Sequence, residues 1–191
     1  GVAGLAKDPT EWPTTVHTDR ELRLATLTNM NYELKIAPIV EWAPVVEDVL
    51  ADVGGAWHVC GEGRHADALA EALAGYSHID VPGYVDPVAK LDWANALAHP
   101  SRLDAVPNAI LEGLASELPV LTTDFHEFRN YGDPLVRVRG TDRLADELRA
   151  LVDPERRADR GRAGLERIRR DHTAQAVARQ YENFFSQVLS V

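Results

Sequence analysis

Cysteine, lysine and long apolar runs are what this 191-residue chain has least of. Cys60 is its single cysteine, so no internal disulfide can form, and a lone thiol suits a reducing compartment. No run of 18 apolar residues occurs, which excludes a membrane-spanning helix of the usual kind. The first residues lack the basic-then-apolar build of a secretory signal, and a cytoplasmic address is expected. Among 20 basic residues only Lys7, Lys35 and Lys90 are lysines. Against 30 acids the formal net charge is −10, and an acidic chain suits nonspecific nucleic-acid binding poorly, because that binding runs on phosphate neutralisation. Little lysine beside abundant Asp, Glu, Arg and Ala fits a halophilic source and a GC-rich genome equally. The seven histidines show no metal-ligand spacing. Internal repeats and low-complexity segments are absent.

What is present is ample apolar content for one core, at 45% of residues. Residues 1–20, broken by Asp8-Pro9 and Trp12-Pro13, read as an arm or linker. A strand is expected over 22–28, then a loop to Lys35, then a helix over 36–53. That helix carries Pro38 in its first turn and Ile39, Val40, Val46, Val49 and Leu50 inward. Residues 56–60 read as a second strand. Gly61-Glu62-Gly63 turns into a helix over 64–74, with Ala66, Leu69, Ala70 and Leu73 inward and Gly75 as its stop. A third strand covers 78–81, Pro82-Gly83 turns the chain, and Asp86 caps a helix over 87–93. Strands follow at 94–99, 120–123 and 135–138, and helices at 141–151, 154–170 and 173–189. Alternation of this rhythm predicts a doubly wound, Rossmann-like parallel sheet of six strands covered on both faces. Ligands of such sheets sit outside the carboxyl ends of the strands, near the point where strand order reverses. The loops there are 29–35, 61–63, 82–85, 100–108 and 124–130.

The stretch from His99 to Asp124 organises the rest. A buried strand ends at His99-Pro100, a polar turn holds Asp104, and a helix follows with Ile110, Leu111, Leu114 and Ala115 on one face. Glu112 lies eight residues after Asp104, two turns inside that helix, and Leu118-Pro119 closes it. Asp104-Ala-Val-Pro-Asn-Ala-Ile-Leu-Glu112-Gly-Leu-Ala, with Pro100-Ser101 before it and Pro119-Val120 after, resembles the donor-site signature of the family 4 glycosyltransferases, retaining enzymes of the GT-B fold. The departures are Asp104 for the first Glu, Val106 for the usual Phe, and Leu118 where Gly or a neighbour is usual.

The resemblance implies roles, and each has a plainer counterpart. Glu112 would accept hydrogen bonds from both ribose hydroxyls of a sugar nucleotide, or be an exposed helix acid. Asp104 would face the donor sugar and its phosphates, or simply cap the helix. Val106 and Asn108 would offer main-chain N–H groups to a diphosphate at the helix mouth, where the dipole favours anions; Pro107 has none to offer. Lys35 matches the family's Lys, but Met30 stands where an Arg is usual, and Arg64 is the candidate second cation. Gly61-x-Gly63 resembles the family's Val-Gly-x-Gly loop, and Tyr84 lies in a segment that usually faces the nucleobase. His126 and Glu127 add bulk where Gly-Gly is common. No Asp-x-Asp triplet occurs, which disfavours the metal-dependent glycosyltransferase fold.

The function so implied is donor binding, with UDP or GDP as nucleotide, in a metal-independent transfer of a hexose-type sugar to a glycan or lipid-linked acceptor. The NDP-sugar is a substrate, and no cofactor or metal is expected. Residues 21–171 would be the nucleotide-sugar domain. Residues 172–191, with Val177, Tyr181, Phe184, Phe185 and Val188 on one side, would brace an N-terminal domain that supplies the acceptor site. Alone, the chain would bind without transferring, and the full enzyme could associate peripherally with a membrane. A noncatalytic nucleotide-sugar sensor and a related 2-epimerase are the alternatives.

Overall fold

A computed structural model describes residues 4–5, 7–104, 107–125 and 135–189. Among them six parallel strands form one sheet: β1 (Leu22–Leu27), β2 (Gly55–Cys60), β3 (Ile79–Gly83), β4 (Ala96–His99), β5 (Val120–Thr123) and β6 (Leu135–Val138). Their order is β3-β2-β1-β4-β5-β6, the doubly wound arrangement, with the reversal between β1 and β4. The helices are α1 (Glu33–Val53), α2 (Ala66–Leu73), α3 (Pro87–Trp93), α4 (Asn108–Ala115), α5 (Gly140–Ala150), α6 (Pro154–Asp171) and α7 (Ala174–Leu189).

Two cores lie on opposite faces, because side chains alternate along a strand. Leu24 of β1 joins Ile39, Leu50, Trp57, Leu69 and Leu144 under α1, α2 and α5. Its neighbour Ala25 joins Leu91, Leu97, Ile110, Leu114 and Ile168 under α3, α4 and α6. Asp86 caps α3 as expected, accepting the N–H groups of Val88 and Ala89. The N-terminal arm is docked. It holds a short turn at Pro9–Glu11 closed by a capping box from Asp8, and Trp12 is buried. The buried Arg157 donates to the carbonyls of Leu151 (2.7 Å) and His17 (3.1 Å), which ties arm to α6.

Several local expectations fail for tertiary reasons. Lys35 is in the first turn of α1, not in a loop, and Pro38 is at its sixth position. Val40 and Ala70 face solvent. Gly75 is not left-handed. Because α4 begins at Asn108, Glu112 sits one turn inside it rather than two. The helix ends before proline acts. Glu117, at φ 57°, donates to Leu114 O, and Leu118 donates to Gly113 O, a Schellman closure in which a glutamate takes the place usual for glycine. α6 backs onto this turn at Gly161, where a Cβ would meet the Glu117 carbonyl oxygen at 1.9 Å.

Candidate functional site

The strand-order reversal sets the β1–α1 loop beside the β4–α4 loop, and the two deepest charges of the region meet there. Lys35 Nζ lies 2.6 Å from Asp104 Oδ1, and both side chains are 11% exposed. Ser101 Oγ donates to Asp104 Oδ2 at 2.7 Å, and His99 Nε2 reaches the same oxygen at 3.1 Å. Burial alone would raise the Asp104 carboxyl, but hydrogen bonds from His99, Lys35 and Ser101 outweigh it and hold the group below its ordinary value. Asp104 does not cap α4. The cap position is Pro107, without a side-chain cap bond. A lysine in the first turn opposes the α1 dipole, and Asp104 supplies the anion that the position needs. Sequence reasoning missed His99 and Ser101 as partners of Asp104. The signal was their three- to five-residue spacing in His99-Pro-Ser-Arg-Leu-Asp104, read instead as a strand end at His99-Pro100 followed by a polar turn.

The glycine loop crosses directly over β1–α1. A Cβ on Gly61 would sit 1.8 Å from the Thr28 carbonyl oxygen, and one on Gly63 would sit 2.3 Å from the Met30 carbonyl carbon. That approach makes room for Thr28 N–H to Cys60 O (3.0 Å), Met30 N–H to Glu62 O (2.7 Å) and His65 N–H to Met30 O (3.0 Å). Met30 is fully buried, so the position where an Arg is usual is here an apolar plug. Arg64 hangs from the same loop. Its N–H donates to Asn31 Oδ1 at 3.1 Å and its Nε to Asn31 O at 2.6 Å, which leaves an exposed guanidinium at the rim.

Beyond it opens a cleft of about 310 Å³ between Asn29, Cys60, Gly61, Tyr84, Val85 and Pro87, within the range of small-molecule sites. Tyr84 is 72% exposed at its edge. The Cys60 thiol is pushed up to about 11 by burial, which makes it unreactive. The structure thus pairs Lys35 with Asp104, sets Gly61 and Tyr84 in one cleft, and holds Gly63 and Arg64 against Met30 and Asn31. Asn108 opens α4 at the surface. Val106, His126 and Glu127 lie outside the described residues. No group of three or more His, Cys, Asp or Glu side chains among the described residues is placed to hold a metal ion.

Glu112 is half-buried on α4, and its carboxylate has no hydrogen-bond partner among the described residues. Burial raises its carboxyl, and only the Lys7 charge offsets part of that. An acid whose folded value is raised costs stability above that value, and the cost disappears below the ordinary glutamate value of about 4.3. Asp104 has the opposite sign: it adds stability above the ordinary aspartate value of about 3.9, lost as pH falls through its lower folded value. Glu112→Gln is therefore expected to raise the melting temperature at pH 7 by roughly 1–3 °C, the effect of up to about 1 kcal/mol in a domain of this size. The gain should be absent below about pH 4. A melting temperature lowered at pH 7 would show that the carboxylate is stabilising.

The model of the family described as "Glycosyl transferases group 1" matches residues 27–154. The chain belongs to that family. The matched span runs from the end of β1 to the start of α6 and contains Lys35, Gly61, Gly63, Arg64, Tyr84, Asp104 and Glu112. The protein "Putative glycosyltransferase ORF31" of a virus (isolate Australia/Victoria) is 38% identical over 191 residues, covering all of this chain and 60% of that protein. The chain thus spans about three-fifths of that relative. Among solved structures, a TarM variant from S. aureus in complex with UDP and other ligands superposes with a TM-score of 0.77 at 19% identity, covering 96% of this chain and 38% of TarM. HepE from Anabaena, in complex with UDP and glucose, superposes with a TM-score of 0.70 at 12% identity, covering 94% of this chain and 55% of its own. At these identities the likeness establishes the fold. This group 1 domain has the architecture of one half of a GT-B glycosyltransferase.

Proposed function

We propose that this group 1 domain is the C-terminal, donor-binding half of a retaining, metal-independent glycosyltransferase of family 4. It would move a hexose-type sugar from a UDP- or GDP-sugar to a glycan or lipid-linked acceptor. The observation that carries the reading is Lys35, held by Asp104 at 2.6 Å at the strand-order reversal, the place where doubly wound sheets bind nucleotides. Breaking the bond between the anomeric carbon and the diphosphate leaves negative charge on phosphate oxygens. Lys35, the open N-terminus of α4 and the Arg64 guanidinium meet that charge in this reading, without a metal. The base enters the cleft beside Tyr84, and Glu112 takes the ribose. A half-buried carboxylate with no hydrogen-bond partner among the described residues is well suited to accept hydroxyl hydrogen bonds from a ligand.

The acceptor side belongs to an N-terminal domain. The exposed Tyr181, Phe184, Phe185 and Val188 of α7 form an apolar face of the kind that packs on another domain. The full enzyme would work in the cytoplasm, where a peripheral hold on the membrane would give access to lipid-linked acceptors. A 2-epimerase would need a histidine that reaches substrate, and His99, the histidine bonded to Asp104, is 3% exposed.

Thermal unfolding with a nucleotide panel tests the proposal. At 100 times its dissociation constant a ligand adds ~2.7 kcal/mol, roughly 5–10 °C in a domain of this length. UDP or GDP should give that shift and the matching monophosphate a much smaller one. Equal shifts with mono- and diphosphates, or none with either, would remove the diphosphate site and the proposal with it.

A further inference from the structure

Pro38 on α1 and Arg102 in the loop after β4 are not used by the donor reading, yet they connect the two elements that carry its charged pair. Proline lacks an N–H, so the Leu34 carbonyl, four residues back, loses its helical donor, and the ring pushes that carbonyl away from the helix axis. The Leu34 oxygen accepts the main-chain N–H of Arg102 at 3.0 Å. The Arg102 side chain lies along the same helix. Its Nη1 donates to Glu41 Oε1 at 2.8 Å and its Nη2 to Glu41 Oε2 at 2.6 Å. Leu34, Pro38 and Glu41 follow i, i+4, i+7 spacing and therefore share one face of α1.

On its other side the loop is tied to β5. Ser101 N–H donates to Thr123 Oγ1 at 3.3 Å, and the Thr123 hydroxyl donates to the Ser101 carbonyl. Lys35 directly follows Leu34, and Asp104 comes two residues after Arg102. A half-exposed ion pair contributes little stability by itself. A two-pronged guanidinium–carboxylate contact does fix geometry.

We infer that the gap left by Pro38 and the Arg102–Glu41 fork form a positioning device, which docks the β4–α4 loop on α1 so that the Asp104 carboxylate is presented to the Lys35 ammonium. Its bearing on turnover rests on the donor reading; the docking rests on the geometry alone. Pro38 and Arg102 are positioning residues, acting through Asp104.

The test uses the whole chain and needs no transfer activity. Pro38→Ala restores the N–H that competes for the Leu34 carbonyl, and Arg102→Lys keeps the charge but removes the fork. Each variant is followed by carbon-detected NMR titration of the Asp104 carboxyl, which faces Lys35, His99 and Ser101, and by thermal unfolding in parallel. In both variants the Asp104 midpoint should rise toward the ordinary value of about 3.9. Pro38→Ala should melt at or above the parent temperature, because alanine is the better helix residue. An unchanged midpoint in both variants overturns the device. A midpoint that rises in Pro38→Ala only together with a lower melting temperature also overturns it, since that reports general loosening. If Asp104 responds as expected while UDP and GDP fail to bind the parent chain, the device stands and the donor reading fails.

Discussion

Lys35→Ala is expected to lower sugar transfer by about 100- to 1,000-fold while changing nucleotide affinity far less. The measurement is turnover and donor affinity for this chain joined to the remaining part of its longer relatives. A preorganised cation facing charge that grows in the transition state typically accounts for ~3–4 kcal/mol when removed, which gives that range of rates. In the proposed donor site the ground-state diphosphate already carries charge and would keep the α4 mouth and Arg64 as partners, so binding should suffer less. A second consequence follows from the 2.6 Å contact. Without Lys35, Asp104 loses one of the three hydrogen bonds that hold its carboxyl low, and its titration should move upward. Equal losses in affinity and turnover would assign Lys35 to binding alone and end its transition-state role.

Gly63→Ala is expected to destabilise the chain strongly. The new Cβ would lie 2.3 Å from the Met30 carbonyl carbon and 2.7 Å from the Asn31 nitrogen, at φ +153°. Both obstacles are backbone, so no side-chain rotation relieves them, and strained φ values alone cost about 1–3 kcal/mol. Against a total stability of about 5–15 kcal/mol, a loss above about 3 kcal/mol lowers the melting temperature by roughly 10 °C. The same displacement moves the loop that carries Arg64 and should abolish UDP or GDP binding. Gly75→Ala is the control. That glycine has nothing within 4 Å of its Cβ position and no left-handed φ, so the substitution should be neutral or slightly stabilising. A Gly63→Ala chain that melts within about 2 °C of the parent would contradict the interlocked loops.

Legibility in the sequence divides along the same lines. The Asp86 cap and the strand at Leu135–Val138 were readable because capping chemistry and turn residues act over a few positions. Lys35, Asp104, Gly61 and Gly63 were readable as candidates through the spacing they share with a known signature. Their partnerships were not. Lys35 and Asp104 are 69 residues apart, and nothing local in either segment specifies which oxygen the amine meets. Met30 reads as a missing arginine and proves to be core, because burial depends on what crosses above it. Val40 and Ala70 fit the helical period yet face solvent, since a period gives a direction on a helix but not a neighbour to cover it.

The amino-acid sequence alone determined the alternation of strands and helices, the doubly wound sheet that follows from it, and the family resemblance of the residues at its carboxyl edge. These rest on periodicity, caps and spacing, all short-range. Only the tertiary structure decided that Asp104 holds Lys35 instead of capping a helix, that the glycine loop locks over Thr28–Asn31, and that Pro38 frees a carbonyl for Arg102. Those are contacts between segments distant in the chain, set by strand order and close packing rather than by any residue's own preference.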